Sequence, residues 1–241
     1  FRSSPKSLGL AFADHTTGEF RAAEFSSHDE LLDELSRLQP AELLHSDDQT
    51  GDFAALHGAT ALEPWPFLFD QARHLLLDHF KVQSLDGFGL GDLTAATCAA
   101  GAILHYLRDV LRRNISHLRR LQRATSDHTV IIDAASRANL DLVSHRNGHE
   151  HSLLAALDRT CTPMGARKLR DWILHPLRDP EPLIARQDVI ASFISHPFLL
   201  SKTRESLRAI RDIERTLTRL NQSGNARDMQ VLGQSLAQIP D

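Results

Sequence analysis

Carboxylates that could converge on metal ions are the first residues here with catalytic potential. Asp14 closes a candidate strand just before Thr16, Thr17 and Gly18, and Glu42 and Asp86 are conceivable companions. Two-metal phosphoryl transfer needs several such groups, because each ion must polarise an attacking or a leaving oxygen. On that reading the chain is a metal-dependent nuclease using Asp14. A tight turn asks for the same residue type, since an Asp side chain accepts hydrogen bonds from the backbone just beyond it. The turn is the preferred reading.

Other constellations fall short of a site. His145, His149 and His151 have an H-x-x-x-H-x-H spacing that on a helix would aim two imidazoles at one metal. Asn147 and Gly148 between them favour a turn, which leaves the histidines as exposed loop residues. Gly87, Gly89 and Gly91 imitate a dinucleotide loop, but the third glycine comes one position early and no clear strand precedes them, so they read as a hinge or the lead-in to a helix. No glycine precedes a lysine, which excludes a Walker-type phosphate cradle and with it an ATP site. No serine occupies a G-x-S-x-G elbow, and neither Cys98 nor Cys161 has a cationic surrounding that would activate a thiolate. Arg204, Arg208, Arg211, Arg215 and Arg219 would share one surface of an unbroken helix and could track phosphates weakly. Glu205, Asp212 and Glu214 interrupt that field and favour local pairing on an exposed or interdomain face.

The 241 residues that carry these groups are 41% hydrophobic and 24% charged, the balance of a globular protein with a buildable core. Their length favours two domains of about 100–150 residues. Residues 1–118 hold 9 Lys/Arg against 17 Asp/Glu, whereas residues 119–241 hold 18 against 14, so the net charge changes from −8 to +4 and a boundary is expected near His117. The longest nearly apolar stretch, Ala95 to Leu104, is far shorter than the ~20 residues of a membrane helix. No basic-then-apolar leader opens the chain, and the two cysteines offer no disulfide framework, which fits a cytoplasmic protein. Phe1 in place of an initiating Met reads as a piece cut from something longer.

The first half alternates strands and helices. Leu8, Leu10 and Phe12 share a strand face, His15 to Gly18 turn, and Glu19 to Phe25 return, giving a β-hairpin. Ser27 and Glu30 form an S-x-x-E box opening a helix with Leu31, Leu32, Leu35 and Leu38 on one side. A short strand at Ala41–His45, a loop around Asp47, Asp48, Gly51, Asp52 and Gly58, and a helix over Phe67–Phe80 follow. Asp92 is expected to cap a long helix with the stripe Ala96, Ala100, Ile103, Leu104, Leu107 and Leu111. After Val130–Ile132 the pattern is helical almost to the end. Thr162 and Asp179 are placed as caps ahead of Pro163 and Pro180, with Met164, Leu169, Trp172 and Ile173 on one face and Leu183, Ile190, Phe193 and Ile194 on the next. A third segment runs from Pro197 towards Asn221; unbroken, it would be about 37 Å long. The fold class is therefore α/β followed by an elongated all-α domain.

The stretch Leu153–Asp179, LLAALDRTCTPMGARKLRDWILHPLRD, resembles the core-domain signature of the MutS family of DNA mismatch recognition proteins. The likeness continues through Ala185–Phe193, Arg211–Leu220 and Gly224–Asp228, and upstream Leu8–Phe25 resembles the opening hairpin of the family's connector domain. Similarity to the family implies that residues 1–118 are an RNase H-like connector lacking a nuclease site, and 119–241 the first part of the helical core or lever. It places the mismatch-reading domain before Phe1, and the clamp and ATPase, with its ATP and Mg, after Asp241. It implies no cofactor and no catalysis in this segment, weak or no DNA binding by it alone, MutL docking through the connector, and DNA, ATP hydrolysis and a homodimer for the full-length protein. Signature residues on this reading are Leu153, Leu157, Asp158, Arg159, Thr162, Pro163, Gly165, Arg167, Leu169, Trp172 and Pro176. Leu153, Leu157, Leu169 and Trp172 would pack stiff helices, Gly165 would permit close helix approach, and Arg159 or Arg167 would bridge segments.

Overall fold

A computed structural model describes residues 2–3, 7–48, 58–124 and 128–239. Gly51 and Asp52 of the expected loop lie outside the described residues. The chain divides into two units, Phe1–Thr125 and Ser126–Asp241.

The first unit is built on a hairpin. β1 (Arg2–Ser3), β2 (Leu8–Asp14) and β3 (Glu19–Phe25) run antiparallel, with Leu8 opposite Phe25 and Asp14 opposite Glu19, and β6 (Gln122–Arg123) lies parallel to β3. Side chains alternate across a strand, so β2 serves two cores. Leu8 and Leu10 join Leu31 and Leu35 of α1 (His28–Leu38) and Leu43 of β4 (Leu43–Ser46). Ala11 and Ala13 join the larger core on the opposite face, with Leu76 of α2 (Phe69–Phe80) and Ala96, Ala100 and Leu104 of α3 (Thr94–His105). β5 (Ala59–Leu62) pairs parallel with β4 in a separate two-stranded sheet; this strand was not expected, and only Asp47, Asp48 and Gly58 of the expected loop are described as turn or irregular backbone.

Three helix starts depart from expectation. At the helix Pro180–Ser195, Asp179 holds the cap position but makes no capping side-chain hydrogen bond, its carboxylate meeting His128 Nδ1 at 2.6 Å instead. At α1, Ser27 accepts the Glu30 N–H at 3.2 Å, but the Glu30 carboxylate turns to the backbone and hydroxyl of Ser26 at 3.0 and 2.9 Å, so the reciprocal box is displaced by one residue. At α3, Asp92 caps nothing. The helix begins at Thr94, beyond its reach, and Glu24 of β3 takes over, its Oε1 accepting the N–H groups of Ala95 and Ala96 at 2.6 and 3.1 Å. A carboxylate at a helix N-terminus also meets the positive end of the macrodipole. The strand can come this close because of Gly9, whose Cβ, were there one, would lie 2.1 Å from the backbone carbonyl of Ala95. Gly101 makes the same allowance for α2, at 2.4 Å from Ala72 Cα.

Beyond α3 the chain widens into a π turn, Tyr106–Val110, and the expected stripe ends early, with Leu111 left 42% exposed. The Tyr106 hydroxyl donates to Glu42 at 2.7 Å, and Glu42 also accepts from Thr60, tying the end of α3 to the β4–β5 sheet. Burial, then the bond to Glu42, pushes the phenol up to about 12. Tyr106 is the only tyrosine, so the folded chain at pH 10 is expected to show little tyrosinate absorbance, against half-ionisation after unfolding in urea. Half-ionisation of the folded chain at that pH would remove the tie. The sign follows from the raised folded value: this contribution is complete below the ordinary phenol value and is lost as pH rises through the folded one.

The second unit is helical, comprising α4 (Ala134–Asn139), α5 (Leu153–Leu157), α6 (Pro163–Leu174), α7 (Pro180–Ser195), α8 (Pro197–Ala209), α9 (Ile213–Ser223) and α10 (Ala226–Leu236). Leu142 and Leu174 are its buried leucines among the described residues. The expected α7 stripe forms but stays uncovered, with Ile190 58% and Ile194 72% exposed. The single segment from Pro197 to Asn221 does not exist: backbone at Ile210–Asp212 leaves the helical form, and Asp212 starts a new helix by accepting the Arg215 N–H.

Candidate functional site: polar joints of the helical unit

The residues 153–179 fold as a series of caps and joints. Ser152 caps α5 by accepting the Ala155 N–H. Asp158 closes that helix with an Asx turn, taking the N–H and hydroxyl of Thr160 at 2.9 and 2.7 Å. Thr162 caps α6 through the Gly165 N–H at 3.0 Å, with Pro163 in the first turn, where its missing donor costs nothing. A Cβ on Gly165 would meet Thr162 Oγ1 at 3.0 Å and Thr160 Cβ at 3.5 Å. The closeness is therefore to its own capping turn, a correction to the helix approach expected there. The Pro176 carbonyl accepts the Val130 N–H at 2.8 Å, and Arg178 N–H reaches the His128 carbonyl at 2.9 Å, so the chain after α6 is pinned beside 128–130.

Arg167 makes the strongest joint. From α6 its guanidinium donates Nη1 and Nη2 to both oxygens of Asp212 at 2.8 and 2.9 Å, and Nη2 to Glu214 at 2.6 Å. A planar fork on a carboxylate fixes distance and orientation together. Asp212 is thus both the cap of α9 and the anchor of α6. Arg167 holds its carboxyl below the usual range, outweighing the opposing effect of burial. Further along α6, His175 and then Lys168 hold Asp171 well below the carboxylate range despite its burial. Arg159 bridges through its backbone, its carbonyl accepting from Arg204 of α8 at 2.6 Å. Leu153, Leu157 and Trp172 are exposed and Leu169 half-buried, so these residues pack less than expected; Trp172 instead lies under the Arg186 guanidinium, 3.7 Å from its ring centroid. Helices this sparsely cored are held by polar ties.

The arginine stripe is broken by the same cap. Arg204 and Arg208 stand on α8, Arg211 in the break, and Arg215 and Arg219 on α9. Arg204 is engaged with Arg159, Arg215 lies 3.7 Å from Asp212, and Arg219 pairs with Asp228 at 3.2 Å. The signal for the break was present in the sequence, since Asp212 directly precedes the apolar series Ile213, Leu217 and Leu220, which is how a helix begins.

The carboxylates considered for catalysis are each occupied locally. Asp14 accepts the Thr16 N–H and hydroxyl at 2.8 and 2.7 Å. Burial pushes its carboxyl up, but the hydrogen bonds from Thr16 and Thr17 prevail and hold it low. Glu42 is bound to Thr60 and Tyr106, and Asp86 to Ser84. Among the described residues no group of three or more His, Cys, Asp or Glu could hold a metal ion, and nothing supports the nuclease reading. His145 and His151 meet edge to face at 5.4 Å around a turn at Gly148; His149 and His151 are exposed in a 3-10 turn, His149–His151, and His145 is half-buried, so the three are not all exposed loop residues. No described helix is long and apolar enough to cross a membrane.

Comparison with known proteins identifies the family. A family model described as MutS domain II matches residues 2–119, and one described as MutS domain III matches residues 135–241. A protein of Protochlamydia amoebophila named DNA mismatch repair protein MutS is 38% identical over 225 residues, covering 89% of this chain. One of the same name from Halothermothrix orenii is 36% identical over 248 residues, covering 97%. The chain spans about a quarter of those relatives, 26% and 27% of their lengths. It belongs to the MutS family and carries that family's domains II and III.

Proposed function

We propose that this chain is the non-catalytic connector and first core segment of a cytoplasmic DNA mismatch recognition protein, with domains 1–118 and 119–241, relaying conformational change between an ATPase, a clamp and a mismatch-binding domain. The Arg167 joint carries the reading. A two-carboxylate fork across 45 residues of sequence makes the orientation of α6 depend on the start of α9, and transmission requires elements with discrete, stiff arrangements. ATP with Mg, mismatched DNA and a homodimer partner belong to the full-length protein, and the segment alone binds DNA weakly or not at all. The first unit offers the docking surface for MutL.

The test uses a full-length protein containing this chain. Arg167→Lys keeps the charge and loses the fork; it is expected to leave ATP binding intact and to slow ATP-triggered release from mismatched duplex about tenfold, the equivalent of ~1.4 kcal/mol. Release at the parent rate would sink the relay. In the same preparations the immobilised chain is expected to capture MutL, and failure with folded chain would move that docking surface elsewhere.

A further inference from the structure

Between α8 and α9 the helix is interrupted at Ile210, Arg211 and Asp212, although none of the three is Gly or Pro, the residues that cost a helix most. The backbone there is half-way to helical. Ile210 has φ −85° and ψ 122°, and Asp212 φ −69° and ψ 92°, so both φ values suit an α-helix and the departure lies in ψ. The amphipathic pattern also runs through, since Leu207, Ile210, Leu217 and Leu220 keep one register across the break. Other helices hold it open. From α6, the Arg167 fork takes both oxygens of Asp212, and from α10 the hydroxyl of Ser235, 1% exposed, accepts the Arg211 N–H at 3.1 Å. Ser235 is aimed by its own donation to the Val231 carbonyl at 2.9 Å. None of the α8 residues is buried, and Arg204 ties that helix to the Arg159 carbonyl.

We infer that Ile210–Asp212 is a two-state hinge: broken, as here, while Arg167 and Ser235 hold it, and otherwise part of one continuous helix from Pro197 to Ser223, about 40 Å long at ~1.5 Å per residue. The change is a rotation in ψ at the hinge, which swings α8 while α9 stays against α10. The continuous form replaces what it gives up. The Arg211 N–H passes from Ser235 to the Leu207 carbonyl four positions back, and Asp212 lies one turn from Arg208 and Arg215, so its charge is paired within the helix in place of the fork. The hinge is the moving part of the relay proposed above and depends on that reading for its use, whereas its two states are a property of the chain alone.

The readout is the backbone carbon-13 shifts of Ile210, Arg211 and Asp212 in the isotopically labelled 241-residue chain. In the parent, Ile210 and Asp212 are expected at extended values. Arg167→Ala with Ser235→Ala removes both holds and is expected to bring all three to helical values, a change in the ratio of continuous to broken forms on the order of a hundredfold. Adding Arg211→Pro to that pair bars the helix and is expected to return Ile210 to extended values. Arg219→Ala cuts an ion pair of the same chemistry, to Asp228, away from the break and is expected to leave the three shifts at parent values. Extended or random-coil shifts in the doubly substituted chain, or helical shifts in the Arg219→Ala chain, would overturn the hinge. Arg167→Lys with Ser235→Ala repeats the measurement should the alanine pair fail to fold. Helical shifts combined with duplex release at the parent rate in Arg167→Lys would keep the hinge and remove the relay, and extended shifts with slowed release would do the reverse.

Discussion

Gly9→Val is expected to cost the first unit about 3 kcal/mol or more, at the upper end of what overpacking costs. The Cβ alone would stand 2.1 Å from both the carbon and the oxygen of the Ala95 carbonyl, and 2.5 Å from Ala96 N. These are backbone atoms, so no side-chain rotation relieves the clash and α3 must move away from β2. That movement also stretches the two hydrogen bonds that Glu24 supplies to the helix start, adding the loss of a cap worth about 1 kcal/mol. Gly87→Ala is the control, because nothing lies within 4 Å of where its Cβ would be. In urea titrations followed by circular dichroism the midpoint should fall sharply for Gly9→Val and stay near parent for Gly87→Ala. A Gly9→Val chain within about 1 kcal/mol of parent would mean that α3 does not lie against β2 as described.

Arg167→Ala is expected to destabilise the second unit by about 2–3 kcal/mol. Breaking a fully buried ion pair costs about 3–5 kcal/mol, but the Arg167 side chain is 30% exposed and Glu214 51%, so solvent screening reduces the figure. Part of the loss is repulsion, since Asp212 and Glu214 would then face each other without a cation. Acid provides an independent readout. The Asp212 carboxyl titrates lower in the fold than in the unfolded chain, chiefly through Arg167. Its contribution is therefore complete above the ordinary aspartate value of 3.8 and is lost as pH falls through the lower folded value. Removing Arg167 should flatten that part of the stability curve, and in a double-mutant cycle with Asp212→Asn the two losses should not add. Parallel acid limbs for parent and variant would locate the dependence elsewhere.

Local signals were the readable ones. The hairpin followed from alternation at Leu8 and Leu10 and a turn at Gly18, and the α6 start from Thr162 ahead of Pro163. β5 escaped because Ala59 and Ala61 carry no strand preference and its partner β4 is set by nonlocal pairing. The α3 cap escaped for a similar reason, since Glu24 stands 71 residues from Ala95 and no local pattern joins them. Asp212 was legible as a helix start, yet the regular arginine spacing suggested continuity across it. A bridging role for Arg159 or Arg167 follows from residue type alone; the two acidic partners of Arg167 come only from the folded arrangement. The apolar face of α7 was recognised as a face, but a hydrophobic pattern states that a surface seeks cover and not where the cover is.

Nine of the twelve residues of α3 are buried, from Ala95 through Leu104. A helix enclosed in this way has no seam where water could begin to enter, and a strand or neighbouring helix that peels off exposes it along much of its length. The surrounding hairpin, α2 and α3 are therefore expected to melt as one cooperative block, with local breathing confined to the periphery of the unit, as amide hydrogen exchange would register.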